Sequence, residues 1–235
     1  MKRQPYVSII LPTFNERGNL EILIPQICTI LKNSSFEIIV VDDMSTDGSR
    51  DTFVTLQKKY EQLHVYERVD KKGLGTAIGF GIERARGTLI IGMDADGNHD
   101  PLLLPSLIEY SAPHVLVIAS RFVAGGGMHD RYRYYFSMLI NYVLRHILRV
   151  TVKDCTSGYY AIFKKEVIHF GLSQIYFGYG DYHIRLVYYA HRRGFYICEL
   201  PVYYKRRMYG KSKSRVLSMC ISYIKEAYSI SKKRI

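Results

Sequence analysis

The 235-residue chain contains no unbroken apolar run near the roughly 18 residues of a membrane-spanning helix, so no span is expected. It has only four cysteines, Cys28, Cys155, Cys198 and Cys220, widely spaced and without a Cys-x-x-Cys pair. That spacing speaks against a disulfide framework and a zinc site, and points to a reducing cytoplasm. The opening Met1-Lys2-Arg3-Gln4-Pro5 leads straight into a strand-like run and lacks the apolar core of a signal peptide. No internal repeat and no low-complexity linker divides the sequence. His64, His169 and His191 show no metal-ligand spacing. Acid is scarce near the end: from Pro201 onward ten basic residues face the single acid Glu226, a net of +9 within a total of +12. Such a tail suits nucleic acid, an anionic membrane or a phosphorylated substrate, and composition does not choose among them.

What is present is enough for a core. Hydrophobic residues make up 48% and aromatics 13%, which excludes disorder, and the length fits one domain with at most a short appendage. Tyr6–Leu11, Phe36–Val41, Val65–Glu67, Thr88–Ile91 and Val115–Ala119 read as strands, mostly buried apolar runs. Helical segments lie between them, over Asn19–Leu31, from Gly48 to about Tyr60, and Thr76–Ala85. Alternating strands and helices predict an α/β domain with a largely parallel sheet. Gly73-Leu74-Gly75 before a helix invites a dinucleotide-binding reading. That fingerprint needs a third glycine where Ile78 stands, and the first strand is followed by Pro-Thr-Phe-Asn-Glu, so the reading fails.

The chemistry gathers at strand ends. Thr88–Ile91 runs into Gly92-Met93-Asp94-Ala95-Asp96-Gly97-Asn98-His99-Asp100. Alternate residues of an extended segment point the same way, so Asp94, Asp96 and Asn98 can converge three oxygens. Hard oxygen ligands suit Mg²⁺ or Mn²⁺ shared with a substrate's phosphates. A solvated acidic turn is the plainer alternative. Phe36–Val41 likewise ends in Asp42-Asp43, which can accept from a ribose or a base, or cap the next helix.

Seven stretches in order carry a resemblance. They are Pro12-Thr13-Phe14-Asn15-Glu16, Val41-Asp42-Asp43, Gly73-Leu74-Gly75-Thr76-Ala77, Met93-Asp94-Ala95-Asp96, Ser120-Arg121-Phe122, Asp154-Cys155-Thr156-Ser157-Gly158-Tyr159 and Arg207-Met208-Tyr209-Gly210-Lys211-Ser212-Lys213. With them the chain resembles glycosyltransferase family 2, and within it the dolichol-phosphate mannosyltransferases and related polyprenyl-phosphate glycosyltransferases. The resemblance implies a GT-A fold over residues 1–213, with 214–235 as a basic amphipathic tail. It implies a nucleotide-sugar donor (GDP-mannose or a UDP-sugar), a divalent Mg²⁺ or Mn²⁺, and inverting transfer to a polyprenyl phosphate. Pro12, Phe14, Glu16 and Asp42 would line the nucleoside pocket, with Asp43, Gly73 and Ala95 also on the donor side. Asp94, Asp96 and Asn98 would hold metal and diphosphate. Arg121, Arg133, Ser137 and Arg207 would hold donor and acceptor phosphates, with Lys213 close by. Arginine forks suit phosphate oxygens.

The acceptor decides whether a base is needed. A phosphate monoester is already anionic, whereas an alcohol must lose a proton. Asp181 is the candidate base for the alcohol route, a glycan hydroxyl for example, or else an acid at a helix N-terminus. Tyr182-His183-Ile184-Arg185 beside it departs from the Phe-Gln-x-Glu of the mannosyltransferases, which leaves the sugar open. Tyr132–Val150 and Val216–Ile235 have apolar residues at helical spacing beside basic ones. They are expected to face the core or lie on an anionic membrane, giving peripheral attachment at its cytoplasmic face, directly or through a membrane-protein partner. The rival of another class is a non-catalytic module binding RNA or anionic lipid. Asp94 and Asp96 argue against it, because carboxylates inside a phosphate-seeking surface repel the ligand.

Overall fold

The computed structural model describes residues 6–69, 73–205, 209 and 216–233. The first half runs β1 (Val7–Thr13), α1 (Arg17–Ile30), β2 (Phe36–Asp42), α2 (Ser49–Lys59), β3 (Leu63–Glu67), α3 (Leu74–Arg84), β4 (Leu89–Gly92), α4 (Leu104–Glu109) and β5 (Val115–Ser120). The second half continues with β6 (Gly127–Met128), α5 (Arg131–Leu148), β7 (Tyr160–Phe163), α6 (Lys164–Phe170), α7 (Leu172–Ile175), α8 (Asp181–Arg192), β8 (Tyr196–Pro201), β9 (Tyr203–Tyr204) and α9 (Val216–Ser231).

Alternation along the strands builds two cores. Ile10, Ile39, Val41 and Ile90 face one side of the sheet, where α3, α5, α8 and α9 bring Ile78, Leu144, Ile184 and Ala227. Val7, Ile9, Ile38, Val40, Leu89 and Ile91 face the other, against Leu20, Ile24 and Phe53 of α1 and α2. A strand buried on both faces has no polar side, which is why these segments read as continuous apolar runs.

The main sheet has seven strands in the order β3-β2-β1-β4-β7-β5-β8. β3, β2, β1 and β4 pair in parallel, and so do β5 and β8. β7 is antiparallel to both β4 and β5. The largely parallel α/β sheet expected from the alternation is therefore present, with one reversed strand inserted. β6 and β9 form a separate two-stranded ribbon.

The C-terminal helix belongs to the packing. Tyr223, Ala227 and Ile230 of α9 are buried with α8 and α5, while Ile221 and Tyr228 are exposed. The segment expected as a tail thus closes one face of the core and keeps a second, amphipathic face outward.

Candidate active site

The register sets Thr13 beside Asp42 and Ile10 beside Gly92, so the C-terminal ends of β1, β2 and β4 lie together. From β1 the chain builds outward to β2 and β3 on one side and reaches β4 on the other. Such a switch point is where open α/β sheets bind ligands. A cleft of about 390 Å³ opens there. Its wall includes Pro12, Phe14, Glu16, Asp43, Gly73, Asp94, Ala95 and Asp96, eight of the residues expected from sequence. Thr13, Leu74, Ala77 and Tyr179 complete it. Tyr179 was not foreseen; the glycines flanking it, which let a loop approach closely, were the available signal.

The two aspartates after β2 do different work. Asp42 is buried and not part of the wall. It accepts the Ser45 backbone N–H at 2.8 Å and the Ser45 hydroxyl at 2.5 Å. Burial raises its pKa against those hydrogen bonds. These contacts shape the turn behind the wall. Asp43 reaches the cleft but is clamped by buried Arg68, whose Nε and Nη2 donate at 2.7 and 2.5 Å. Its other oxygen accepts the Gly73 N–H at 2.8 Å. Gly73 has φ +136°, a conformation that L side chains rarely adopt, so glycine is required where the wall turns into α3.

After β4 the pattern changes. Asp96 accepts the Asn98 backbone N–H on one oxygen and the Asn98 side-chain amide on the other, both at 3.0 Å. The expected convergence of three oxygens is therefore two carboxylates and an amide that orients one of them. Below the loop, the Asp94 N–H donates to Nδ1 of buried His99 at 2.9 Å. That fixes the proton on Nε2, which lies 2.8 Å from the Tyr204 hydroxyl; this in turn donates to the Ser157 carbonyl at 2.7 Å. Burial lowers the His99 pKa to about 4, so the imidazole is neutral and the loop rests on a fixed tautomer.

The far side of the site is held by ion pairs. Arg121 is buried, and its Nε and Nη2 grip Asp154 at 2.7 and 2.6 Å. Burial opposes both charges, yet each holds the other: the Asp154 pKa is lowered and the Arg121 pKa raised. Nη2 also donates to Thr156 Oγ1, which accepts from Asn141 Nδ2 at 2.9 Å, tying α5 to this cluster. Arg133 is exposed at the start of α5, and Ser137 is half-buried one turn on. Asp181 is 8% exposed and pairs with buried Arg185 at 2.8 Å. Arg207 and Lys213 lie outside the described residues.

The donor set fits a divalent cation. Asp94 and Asp96 are hard oxygen ligands lining one cleft. Among the described residues no group of three or more His, Cys, Asp or Glu could hold a metal alone. A metal there would complete its shell with phosphate oxygens and water, the usual arrangement for Mg²⁺.

A family model described as Glycosyl transferase family 2 matches residues 8–171. The chain is 37% identical over 168 residues to a dolichol-phosphate mannosyltransferase of Pyrococcus furiosus, covering 69% of this chain but only 47% of that protein. It is 35% identical over 214 residues to an undecaprenyl-phosphate mannosyltransferase of Micrococcus luteus, covering 88% and 86%. Its fold is similar to that of a glucosyl-3-phosphoglycerate synthase from Mycobacterium tuberculosis solved with Mn²⁺, UDP and phosphoglyceric acid. The TM-score is 0.73 at 19% identity, over 99% of this chain and 80% of the other.

Proposed function

The chain belongs to glycosyl transferase family 2, and from that premise we propose that it transfers one sugar, mannose foremost, from a nucleotide-sugar donor to a polyprenyl phosphate. The nucleoside would lie between Pro12, Phe14 and Asp43, with the diphosphate at Asp94 and Asp96. A bound Mg²⁺ or Mn²⁺ would supply Lewis-acid stabilisation of the charge developing on the leaving diphosphate. Asp94 and Asp96 would hold that ion, with Asn98 keeping the Asp96 carboxylate oriented. Arg207, Arg133, Ser137 and Lys213 would hold the acceptor phosphate in line, giving inversion. Arg121, gripped by Asp154, would present its remaining Nη1 corner to phosphate.

The observation that carries the acceptor class is the pairing of Asp181. Its carboxylate accepts from Arg185 and from the Tyr179 N–H, so it is a poorly placed base for an alcohol. A phosphate acceptor requires no such base. Among the described residues no helix is long and apolar enough to cross a membrane. We propose peripheral attachment at the cytoplasmic face, carried by the surface of α5. α5 exposes Tyr132, Tyr135, Leu139 and Tyr142, and no acid occurs from Arg131 to Val152. Aromatic, apolar and cationic residues on one helix suit an anionic bilayer better than RNA.

The test is a donor screen. The protein is incubated with GDP-mannose, UDP-glucose or UDP-N-acetylglucosamine, with Mg²⁺ or Mn²⁺, and with polyprenyl phosphate in anionic vesicles. Mass spectrometry of the lipid should find a hexosyl phosphate product with GDP-mannose. Transfer to a free glycan but never to lipid phosphate would overturn the reading.

A further inference from the structure

α9 reaches the cleft through one loop. Arg185 of α8 is 1% exposed and bonds two carboxylates, Asp181 at 2.8 Å and Glu226 of α9 at 2.9 Å. The same guanidinium donates to the Ile175 carbonyl at 2.8 Å and to the Phe177 carbonyl, and lies over the Phe177 ring. A buried arginine needs its donors satisfied, and here the C-terminal helix supplies one of the balancing charges.

The loop that Arg185 grips is also wedged from both sides. On one side the Gly178 carbonyl accepts the Gly75 N–H at 3.1 Å at the start of α3. A Cβ on Gly75 would lie 2.5 Å from the Phe177 carbonyl oxygen. On the other, a Cβ on Gly180 would collide with the hydroxyl of Tyr223 in α9. Two glycines thus mark two close approaches, and between them Tyr179 projects into the cleft wall beside Gly73 and Leu74.

We propose that Tyr223 and Glu226 are positioning residues: α9 presses and ties the loop 177–180 so that Tyr179 and the start of α3 hold the donor nucleotide. The inference rests on the cleft being the donor site. It makes the C-terminal helix part of the donor pocket's support, beyond any role at a membrane surface.

The test uses the full chain and measures binding of GDP and of UDP with Mn²⁺ by calorimetry, beside steady-state transfer. Gly180→Ala adds one methyl group against the Tyr223 hydroxyl and should weaken nucleotide binding and raise donor KM about tenfold, with kcat within about threefold. Adding Tyr223→Phe removes the clashing oxygen and should restore most of the affinity. Glu226→Ala should weaken binding in the same direction, and Glu226→Gln, which still accepts from Arg185, should weaken it less. A merely structural role would lower the melting temperature and leave affinity and KM untouched in folded protein. Parent-like affinities for both Gly180→Ala and Glu226→Ala would overturn the inference while leaving the donor site standing. A parent that binds neither nucleotide would overturn the donor-site reading and this inference with it.

Discussion

The loop after β4 and the far side of the site, from β5 to α8, both offer carboxylates, but hold them differently. On the far side Asp154 and Asp181 each meet a buried arginine, Arg121 and Arg185. After β4, Asp94 and Asp96 line the cleft, steadied through the Asn98 amide and the His99 imidazole. A carboxylate locked to a guanidinium is a structural strut, because freeing it leaves a buried charge uncompensated. One that lines the cleft and accepts from N–H groups, as Asp96 does from Asn98, sits where a cation can reach it. On these two sides the difference separates a strut from a cleft wall, while Asp43, held by Arg68 and lining the cleft, is both.

The largest expected effect breaks the β4 side. Asp96→Asn keeps an oxygen for the Asn98 N–H but removes the charge. Transfer should fall by roughly 10³-fold, comparable to losing a key electrostatic stabiliser. Melting should stay near that of the parent, and Mn²⁺-dependent nucleotide binding should weaken. Unchanged transfer at unchanged metal dependence would remove Asp96 from the chemistry.

Legibility follows the same division. The β1, β2 and β4 ends were readable because strand, turn and carboxylate are contiguous: Val41-Asp42-Asp43 and Met93-Asp94-Ala95-Asp96 show strand and carboxylate in one glance. β7 was not readable. It is four residues long, and its antiparallel place between β4 and β5 is set by partners roughly 40 to 70 residues away. The burial of Arg68 and Arg185 was not readable, since a sequence does not say which arginine a fold will bury. The one local signal was the spacing of Asp181 and Arg185, four apart on a helix. Asp42 and Asp43 were placed as a pair, yet the backbone turns one toward Ser45 and the other toward Arg68. That divergence depends on the β3 and α3 neighbours.

A second measurement sharpens the comparison through pH. His183 lies on the far side, fully buried; its Nδ1 is 3.0 Å from the Cys155 carbonyl, and its Nε2 has no hydrogen-bond partner among the described residues. Burial lowers its pKa to about 4, and that of His99 likewise. Each folded pKa lies below the unfolded value of about 6.5, so between those limits the unfolded chain binds more protons. Stability is complete above about pH 6.5 and is lost as pH falls toward 4, by about 3 kcal/mol per histidine. His183→Asn retains an N–H for Cys155 and removes one titration, so the slope of unfolding free energy against pH should roughly halve. An unchanged slope would show that His183 takes up its proton alike in the folded and unfolded states.

The smallest expected effect tests the strut reading where it matters most for mechanism. Asp181→Asn removes the charge opposite Arg185 but leaves an amide oxygen that can still accept from it. Glu226 remains as a second carboxylate on the same guanidinium. If the acceptor is a lipid phosphate, no proton need be removed, and transfer by folded protein should fall less than about fivefold, well short of a lost base. The melting temperature should drop more visibly, since one of two carboxylates balancing a buried arginine has been neutralised. If the acceptor is an alcohol and Asp181 its base, the order reverses, and transfer falls by roughly 10²–10⁴-fold. Donor hydrolysis, measured separately, shows whether the donor side survives. A variant dead in transfer, normal in hydrolysis and normal in melting would make Asp181 chemistry rather than strut, and would move the acceptor from phosphate to hydroxyl.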